Sequence, residues 1–341
     1  MGTKLSNLLI TKEITINSLM NKKLAVDAYN QLYQYLSTIR QSDGSPLKNS
    51  KGKITSHISG LFFRTVNLME KGIKLAFIYD GVAPDLKKKE KDRRRAIKEE
   101  EVKLYEKATK DQDIESMNKY AKRTSRLTSE MIEESKELLS ALGIPHFTAP
   151  SEGEAQAAYM VKKGEFYGII SQDTDSLLFG ATRVIKNLTI SKKKRFPGSP
   201  AYKKNEPEII NLKDNLNNLG IDIEQLIALS MLVGTDFNIG GIKGIGPKKG
   251  ITLIKEYKNN FEELFKEVKW NEYFDYPWTD VYYTIKNMPV QEEYSLKWNP
   301  PNINKVKEIL VDKFEFSENR IESTIKKINI SQSQKGLGDF F

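Results

Sequence analysis

Short apolar runs that end in an acidic residue recur along the chain. Lys23-Leu24-Ala25-Val26 runs into Asp27, Leu75-Ala76-Phe77-Ile78-Tyr79 into Asp80, and Tyr167-Gly168-Ile169-Ile170-Ser171 into Asp173 and Asp175. Each run reads as a buried strand, and helix-patterned segments lie between them. Strands alternating with helices predict an α/β fold with a mostly parallel central sheet flanked by helices. In such sheets ligands bind beyond the carboxyl ends of the strands. The acidic residues are therefore expected on one rim. One Asp after a strand is ordinary turn chemistry; three strands ending this way are harder to dismiss.

Residues 87 to 126 break the alternation. They are densely charged and helix-favouring, with a basic stretch, Lys87-Lys88-Lys89-Glu90-Lys91-Asp92-Arg93-Arg94-Arg95, followed by Glu99-Glu100-Glu101. A solvated helical face is the ordinary fate of such a run. The functional alternative is a projecting helical element that meets phosphates. Residues 192 to 204 form a second basic segment, interrupted by Pro197, Gly198 and Pro200, and are expected to be an exposed loop. A helical stretch follows at 222–234. Residues 331–341 are rich in Ser, Gln, Lys and Gly and then finish Asp339-Phe340-Phe341.

Composition narrows the chemistry. The 341 residues carry 39% apolar side chains, enough for a buried core. There is no Cys, which excludes disulfides, thiolate metal sites and Cys nucleophiles. His57 and His146 are the only histidines, which argues against a multi-His zinc site. Metal chemistry must then rest on oxygen ligands, favouring magnesium, manganese or calcium. Lys and Arg number 54 against 45 Asp and Glu, a net charge of +9 that suits a polyanionic partner or simply a basic soluble protein. No apolar run is long enough to span a membrane. Met1-Gly2-Thr3-Lys4-Leu5-Ser6 lacks a secretory core and fits only a loose acylation pattern.

More carboxylates join the rim candidates. Pro150-Ser151-Glu152-Gly153-Glu154 looks like a helix start, with Ser151 as cap and Glu154 completing a capping box. Gly234-Thr235-Asp236 closes another apolar helix. With Asp27, Asp80, Asp173 and Asp175, the set reaches seven. So many like charges on one rim repel unless cations sit among them. Two magnesium ions, which manganese can replace, would allow phosphodiester hydrolysis without a Ser, Cys or His nucleophile; a structural calcium site is the alternative. The run Gly240-Gly241-Ile242-Lys243-Gly244-Ile245-Gly246-Pro247-Lys248-Lys249-Gly250 is not a Walker A loop, because Pro247 stands where Lys is needed. It fits a helix–hairpin–helix turn whose N–H groups face an anion, or a plain Gly-rich turn.

Taken together these segments closely resemble the flap endonuclease family of structure-specific 5′-nucleases, in its archaeal-type form. The carriers are Asp27-Ala28-Tyr29-Asn30-Gln31-Leu32-Tyr33, Thr55-Ser56-His57, Tyr79-Asp80-Gly81, Ser151 to Ala157, Gln172 to Leu178, Gly234-Thr235-Asp236 and the glycine hairpin, spread over nearly the whole chain. The resemblance implies that Asp27, Asp80, Glu152, Glu154, Asp173, Asp175 and Asp236 hold two metal ions. Lys87 and Arg94 would steady the scissile phosphate and, with Asp173 and Asp175, make up the catalytic set. Tyr33 would stack on a base near the cut, and Arg40, Thr55 and Arg64 would meet the bent duplex and the 3′ end. Further DNA contacts are expected at Glu152, Gly234, Asp236, Gly244, Gly246, Lys248 and Lys249, with a potassium ion at the hairpin. The free Gly2 amine would lie near the site.

The same resemblance divides the chain. Residues 1–98 and 131–258 would form the nuclease domain, 99–130 the helical arch, 259–330 a helical extension and 331–341 a tail. In the tail, Gln334, Leu337, Phe340 and Phe341 fit Gln-x-x-aliphatic-x-x-aromatic-aromatic. That pattern reads as an apolar plug with a polar anchor, and the resemblance makes it a peptide for the ring-shaped sliding clamp. Docking on the chain's own domain is the plainer alternative. Three departures from the family pattern stand out: Val82-Ala83 after Asp80-Gly81, Thr182 and Gly250. The first removes a basic group beside the arch. The expected function is hydrolysis at the base of 5′ flaps, with weaker 5′-exonuclease action, by a cytoplasmic monomer that acts on branched DNA and touches no membrane. A junction or excision-repair nuclease, or an idle DNA-binding clamp adaptor, are the rival readings.

Overall fold

The computed structural model describes residues 4–111, 113, 116, 120, 126–189, 193–195, 202–204 and 206–333. In chain order the first half comprises β1 (Lys12–Glu13), β2 (Lys23–Asp27), α1 (Ala28–Thr38), α2 (Ser56–Met69), β3 (Lys74–Tyr79), α3 (Lys88–Lys110), α4 (Ser129–Ala141), β4 (His146–Thr148), α5 (Gly153–Lys162) and β5 (Gly168–Ile170). The second half comprises β6 (Arg183–Lys186), β7 (Lys193–Arg195), β8 (Tyr202–Lys204), β9 (Glu208–Asn211), α6 (Leu212–Leu219), α7 (Ile223–Val233), α8 (Pro247–Tyr257), α9 (Phe261–Glu267), α10 (Trp278–Lys286), α11 (Ile303–Lys307) and α12 (Glu318–Ser333).

The main sheet has the order β1-β9-β6-β5-β2-β3-β4. Pairings from β6 through β4 are parallel, and β9 runs antiparallel to both β6 and β1. The chain enters this sheet's parallel part at β2, builds outward to β3 and β4, then returns to β2's other side with β5. The strand order therefore reverses beside β2, where the crevice at the carboxyl ends opens. Register places Asp27 opposite Ile78 and Val26 opposite Ile170. Asp80 and Asp173 accordingly lie just past the ends of their own strands, at Asp27's level.

Alternation along the strands assigns the two faces. Leu24, Val26, Leu75, Phe77, Tyr79, Ile170 and Ile185 pack with α1, α2, α4, α11 and α12. Ala25, Ala76, Ile78, Ile169 and Val184 pack with α5, α7, α8, α9 and α10. Both faces are covered, which is why the strands read as unbroken apolar runs rather than alternating ones. The expected helical extension thus divides, residues 261–286 serving one face and 303–325 the other.

The connection between those two parts is a strap. Trp298 Nε1 donates to the Leu75 carbonyl at 2.8 Å, and Asn299 N donates to the Gly143 carbonyl at 2.9 Å. Gln156, fully buried on α5, exchanges two bonds with Gln291, at 3.0 and 2.7 Å. That accounts structurally for a glutamine in an otherwise small and acidic motif.

Some local expectations need correction. Residues 192–204 are not simply a loop, because Lys193–Arg195 and Tyr202–Lys204 pair as an antiparallel β7–β8 ladder. The turn residues between the two arms hid the pairing in a segment read for its charge. Ser151 does not cap α5. Its hydroxyl donates to the Val82 carbonyl at 2.9 Å, and Glu152 is the N-cap residue without a side-chain cap bond. Helix α12 runs through Ser333, into the stretch assigned to the tail. The tail residues Gln334, Leu337, Phe340 and Phe341, together with Gly2, lie outside the described residues.

The strap gives a stability test. A Cβ on Gly143 would sit 1.9 Å from the Asn299 carbonyl oxygen, at a φ of +70° that already disfavours a side chain. Gly143→Ala is expected to lower the urea midpoint by the equivalent of about 1–3 kcal/mol. An unchanged midpoint would show that the strap contributes nothing to stability.

Candidate nuclease site

Local folding sets each carboxylate in place. Asp27 ends β2 and caps α1, its Oδ1 accepting from Asn30 N at 3.0 Å. Asp80 follows β3 and accepts from Gly153 N at 2.7 Å. A Cβ on Gly153 would stand 2.9 Å from that Asp80 oxygen, so only glycine admits the contact. The same bond draws Glu152 and Glu154, on either side of Gly153, to the rim. Gly81 N donates to the Ser151 carbonyl at 2.7 Å and closes the two segments together.

Asn30 then bridges to the next strand. Its Nδ2 donates to Asp173 Oδ2 at 2.9 Å, and its Oδ1 accepts from Gln172 N at 3.1 Å. Ser171, fully buried, donates to Asp27 Oδ2 at 3.2 Å and accepts from Asp173 N at 3.2 Å. Asp175 opens the short 3-10 turn Asp175–Leu177. Asp236 sits in a turn held by Thr235 Oγ1 donating to Asn238 Oδ1 at 2.7 Å and Asn238 Nδ2 donating to the Met231 carbonyl at 2.7 Å.

The seven groups feel one another. Burial first, then the charges of Asp80 and Asp173, push the Asp27 carboxyl up to about 7. Burial and the charges of Asp27, Asp175 and Asp173 hold Glu154 well above the usual carboxylate range. Glu152 is raised chiefly by burial and by Asp80 and Asp236, against the opposing pull of Lys87. Asp27, Asp80 and Asp173 therefore converge, as the strand pattern predicts. Among the described residues no three of these side chains form, as they stand, a cage that could hold an ion.

A cationic layer lies over the cluster. Lys87, just before α3, has its Nζ 2.5 Å from Glu152 Oε2 and 3.5 Å from Asp236 Oδ2. Arg94, within α3, donates to Asp236 Oδ1 at 2.5 Å. Burial would lower the Lys87 ammonium, but Glu152 and Asp236 raise it on balance. Glu90, buried on the same helix, accepts from Arg94 Nε at 2.5 Å and from Arg93 at 2.7 and 2.8 Å, which fixes the direction of both guanidinium groups. Tyr33 is exposed beside this layer, within the fields of Arg94 and Arg126.

The glycine run forms the predicted turn between α7 and α8, with Gly246 as N-cap and Pro247 in the first turn. Cβ atoms on Gly234 and Gly241 would each collide with the other's backbone, at 2.7 and 2.5 Å, so the pair lets the arms close. A Cβ on Gly244 or Gly246 would meet nothing within 4 Å, and both residues are exposed beside exposed Lys248 and Lys249. The backbone here faces outward.

Other predicted contacts scatter. Arg40 is half-buried and donates to the Gly44 carbonyl at 2.7 Å. Arg64 is half-buried on α2, and Thr55 is buried at that helix's start. His57 is fully buried against Glu134, 3.1 Å away, a packing role. Sequence reasoning gave no role to Asn30, Ser171, Glu90 or Asn238, which aim the groups it did find. A local signal was available for Asn30, three residues after Asp27 on a helix start, and for Glu90, four residues before Arg94 on one helix face.

The donor set fits oxygen-loving divalent cations. It offers buried carboxylate oxygens in excess of the Lys and Arg charges that reach them, and neither Cys nor a histidine pair. A parallel sheet with an acidic rim under a cationic helix is the layout of a nuclease. Family models for the XPG N-terminal domain and the XPG I-region match residues 3–101 and 143–236. Flap endonuclease 1 of Staphylothermus marinus is 44% identical over the full length of both chains. That of Thermococcus onnurineus is 46% identical over 96% of this chain and 94% of its own. The solved flap endonuclease-1 from Methanococcus jannaschii matches with a TM-score of 0.77 and 36% identity, over 98% of this chain and 100% of its own. The catalytic core of Rad2 in complex with DNA substrate matches at 0.68 and 26%, over 93% and 96%. The chain belongs to the flap endonuclease family.

Charge crowding at Asp27 has a measurable cost. The folded group ionises near 7 and an unfolded one near 3.8, so the folded state holds the extra proton between those values. Its stability therefore falls as pH rises through that window, and the penalty is complete above it. Asp27→Asn keeps the cap acceptor and removes the charge. In chelator, the variant is expected to gain on the order of 2 kcal/mol at about pH 8, shrinking toward about pH 4. A gain that instead grew toward acid pH would contradict the assignment.

Proposed function

We propose that the chain cuts branched DNA at the base of 5′ flaps and that cutting requires two divalent cations, magnesium by preference. The observation that carries this reading is the set of mutually repelling, buried and half-buried carboxylates at one sheet rim, beneath Lys87 and Arg94. The family membership supports it, as does the likeness to the Rad2 core, which was solved with DNA substrate.

Asp27, Asp80, Glu152, Glu154, Asp173, Asp175 and Asp236 would hold the ions through oxygen. Magnesium bound there would supply a nucleophilic hydroxide source at neutral pH and neutralise charge on the departing oxygen. Asn30 and Ser171 keep Asp27 and Asp173 aimed at one point. Lys87 and Arg94 neutralise Glu152 and Asp236 in this structure. The same largely buried ammonium, and the guanidinium that Glu90 orients, suit the oxygens of a scissile phosphate. Tyr33 offers an exposed ring to an unpaired base. The outward backbone at Gly244 and Gly246, with Lys248 and Lys249, grips duplex phosphates without reading sequence.

Asp173→Ala and Asp80→Ala are each expected to abolish magnesium-dependent cutting of a 5′ flap while leaving flap binding within about threefold. A panel of flap, nick, bubble and four-way junction substrates identifies the preferred branch. Retained cleavage in either variant would remove these carboxylates from the mechanism.

We also propose that Gln334, Leu337, Phe340 and Phe341 dock the chain on a sliding clamp. The support is the spacing of a polar anchor and apolar plug in a polar tail that follows directly on α12. Phe340→Ala with Phe341→Ala should lose clamp binding by calorimetry and leave clamp-free flap cutting unchanged. Undiminished clamp affinity would refute the role.

A further inference from the structure

An open, largely aromatic cleft of about 180 Å³ adjoins the catalytic rim, lined by Leu86, Phe237, Ile239, Tyr273, Phe274, Asp275 and Tyr276. Two of these residues are chain neighbours of site groups. Leu86 precedes Lys87, and Phe237 follows Asp236. The Lys87 ammonium stands 5.9 Å from the Phe237 ring centroid, so one side of that ring meets the cationic layer. Lining residues of the cleft thus adjoin in sequence Lys87, which meets the phosphate, and Asp236, which holds an ion, in the proposed mechanism.

Its far wall is built rigidly. Trp270 is buried, packs on Phe274 with ring centroids 4.3 Å apart and tilted by 38°, and donates from Nε1 to the Tyr276 carbonyl at 2.7 Å. Phe274 and Tyr276 lie 5.6 Å apart at 32°. The Tyr276 hydroxyl donates to the Phe237 carbonyl at 3.1 Å and ties the wall to the turn that carries Asp236. Against this fixed frame Tyr273 remains 42% exposed at the mouth, and Asp275 is exposed. A preorganised aromatic wall with an exposed tyrosine binds flat, apolar-faced ligands at small entropic cost. The Asp275 carboxylate at the mouth disfavours phosphate there.

We propose that this cleft receives one unpaired nucleobase of the strand being cut, stacked on Tyr273 beside the scissile phosphate. The proposal rests on the nuclease reading above and adds a second aromatic station to Tyr33. Nucleobase rather than phosphate or duplex follows from the ring-lined walls, the acidic mouth and the continuity with Lys87. Stacking on a ring is sequence-tolerant, as a branch-reading enzyme requires.

Abasic scanning of the full chain tests it. Affinity is measured by anisotropy in chelator for a flap substrate and a flapless nicked duplex, with single abasic positions moved along the 5′ strand. Tyr273→Ala should weaken flap binding about tenfold and nicked-duplex binding by less than about twofold. Tyr273→Phe, which keeps the ring, should restore it. One abasic position should weaken the parent to the variant's level and leave Tyr273→Ala unaffected. Equal losses on both substrates, or no loss on either as a peptide-binding cleft would give, overturn the proposal. Failure of the parent chain to cut the flap in magnesium would instead overturn the nuclease reading.

Discussion

Repulsion among carboxylates that the sheet forces together is the constraint on which the rest of the site depends. Three parallel strands stop at one level, and each delivers an acidic side chain to the same crevice. The fold holds them there through neutral donors. The amides of Asn30 and Gly153 and the hydroxyl of Ser171 each satisfy a carboxylate oxygen without cancelling its charge. Such bonds fix position but leave the field largely intact. Burial first, and the neighbouring charges after it, keep Asp27 and Glu154 raised, and a bound cation would relieve the repulsion.

The cationic layer answers part of that field in a particular way. Lys87 and Arg94 pair with Glu152 and Asp236, two of the seven carboxylates. Buried ion pairs of this kind add little net stability, because desolvation offsets their attraction. Their value is positional. They hold the start of α3 over the rim, while Glu90 prevents Arg94 from swinging outward. The helix that would meet substrate is thereby charged, oriented and poised, and the polar side of the site needs no flexible search.

The strands, the acidic residues and the glycine hairpin were legible because each follows from a local rule. Asp27, Asp80 and Asp173 stand at the ends of apolar runs, and Pro247 starts a helix after glycines. Apart from Glu90 and Asn238, whose partners are close in sequence, what escaped reading depends on partners far along the chain. Asn30 touches Asp173 across 143 positions, and Arg94 finds Asp236 across 142. Ser151 fits a cap by local rules, yet its hydroxyl is claimed by Val82. The β7–β8 ladder was obscured by turn residues and charge. The division of residues 261–325 between two faces could not be read either, since both parts carry similar helical patterns.

These contacts also explain how such a site can be selective without reading a base sequence. The groups facing outward are backbone amides at Gly244 and Gly246, the ammonium groups of Lys248 and Lys249, and the rings of Tyr33 and Tyr273. None presents the paired donor and acceptor that distinguishes one base edge from another. Amides and ammonium groups bind phosphates of any sequence, and rings stack on any base. Discrimination then comes from spacing. On the proposed reading, a duplex gripped at the hairpin would bring its strand to the rim, and only an unpaired base would leave its stack to meet a ring. The branch would then be read as the place where phosphate grip and free base coincide, with the acidic rim fixing where along the strand that coincidence becomes a cut.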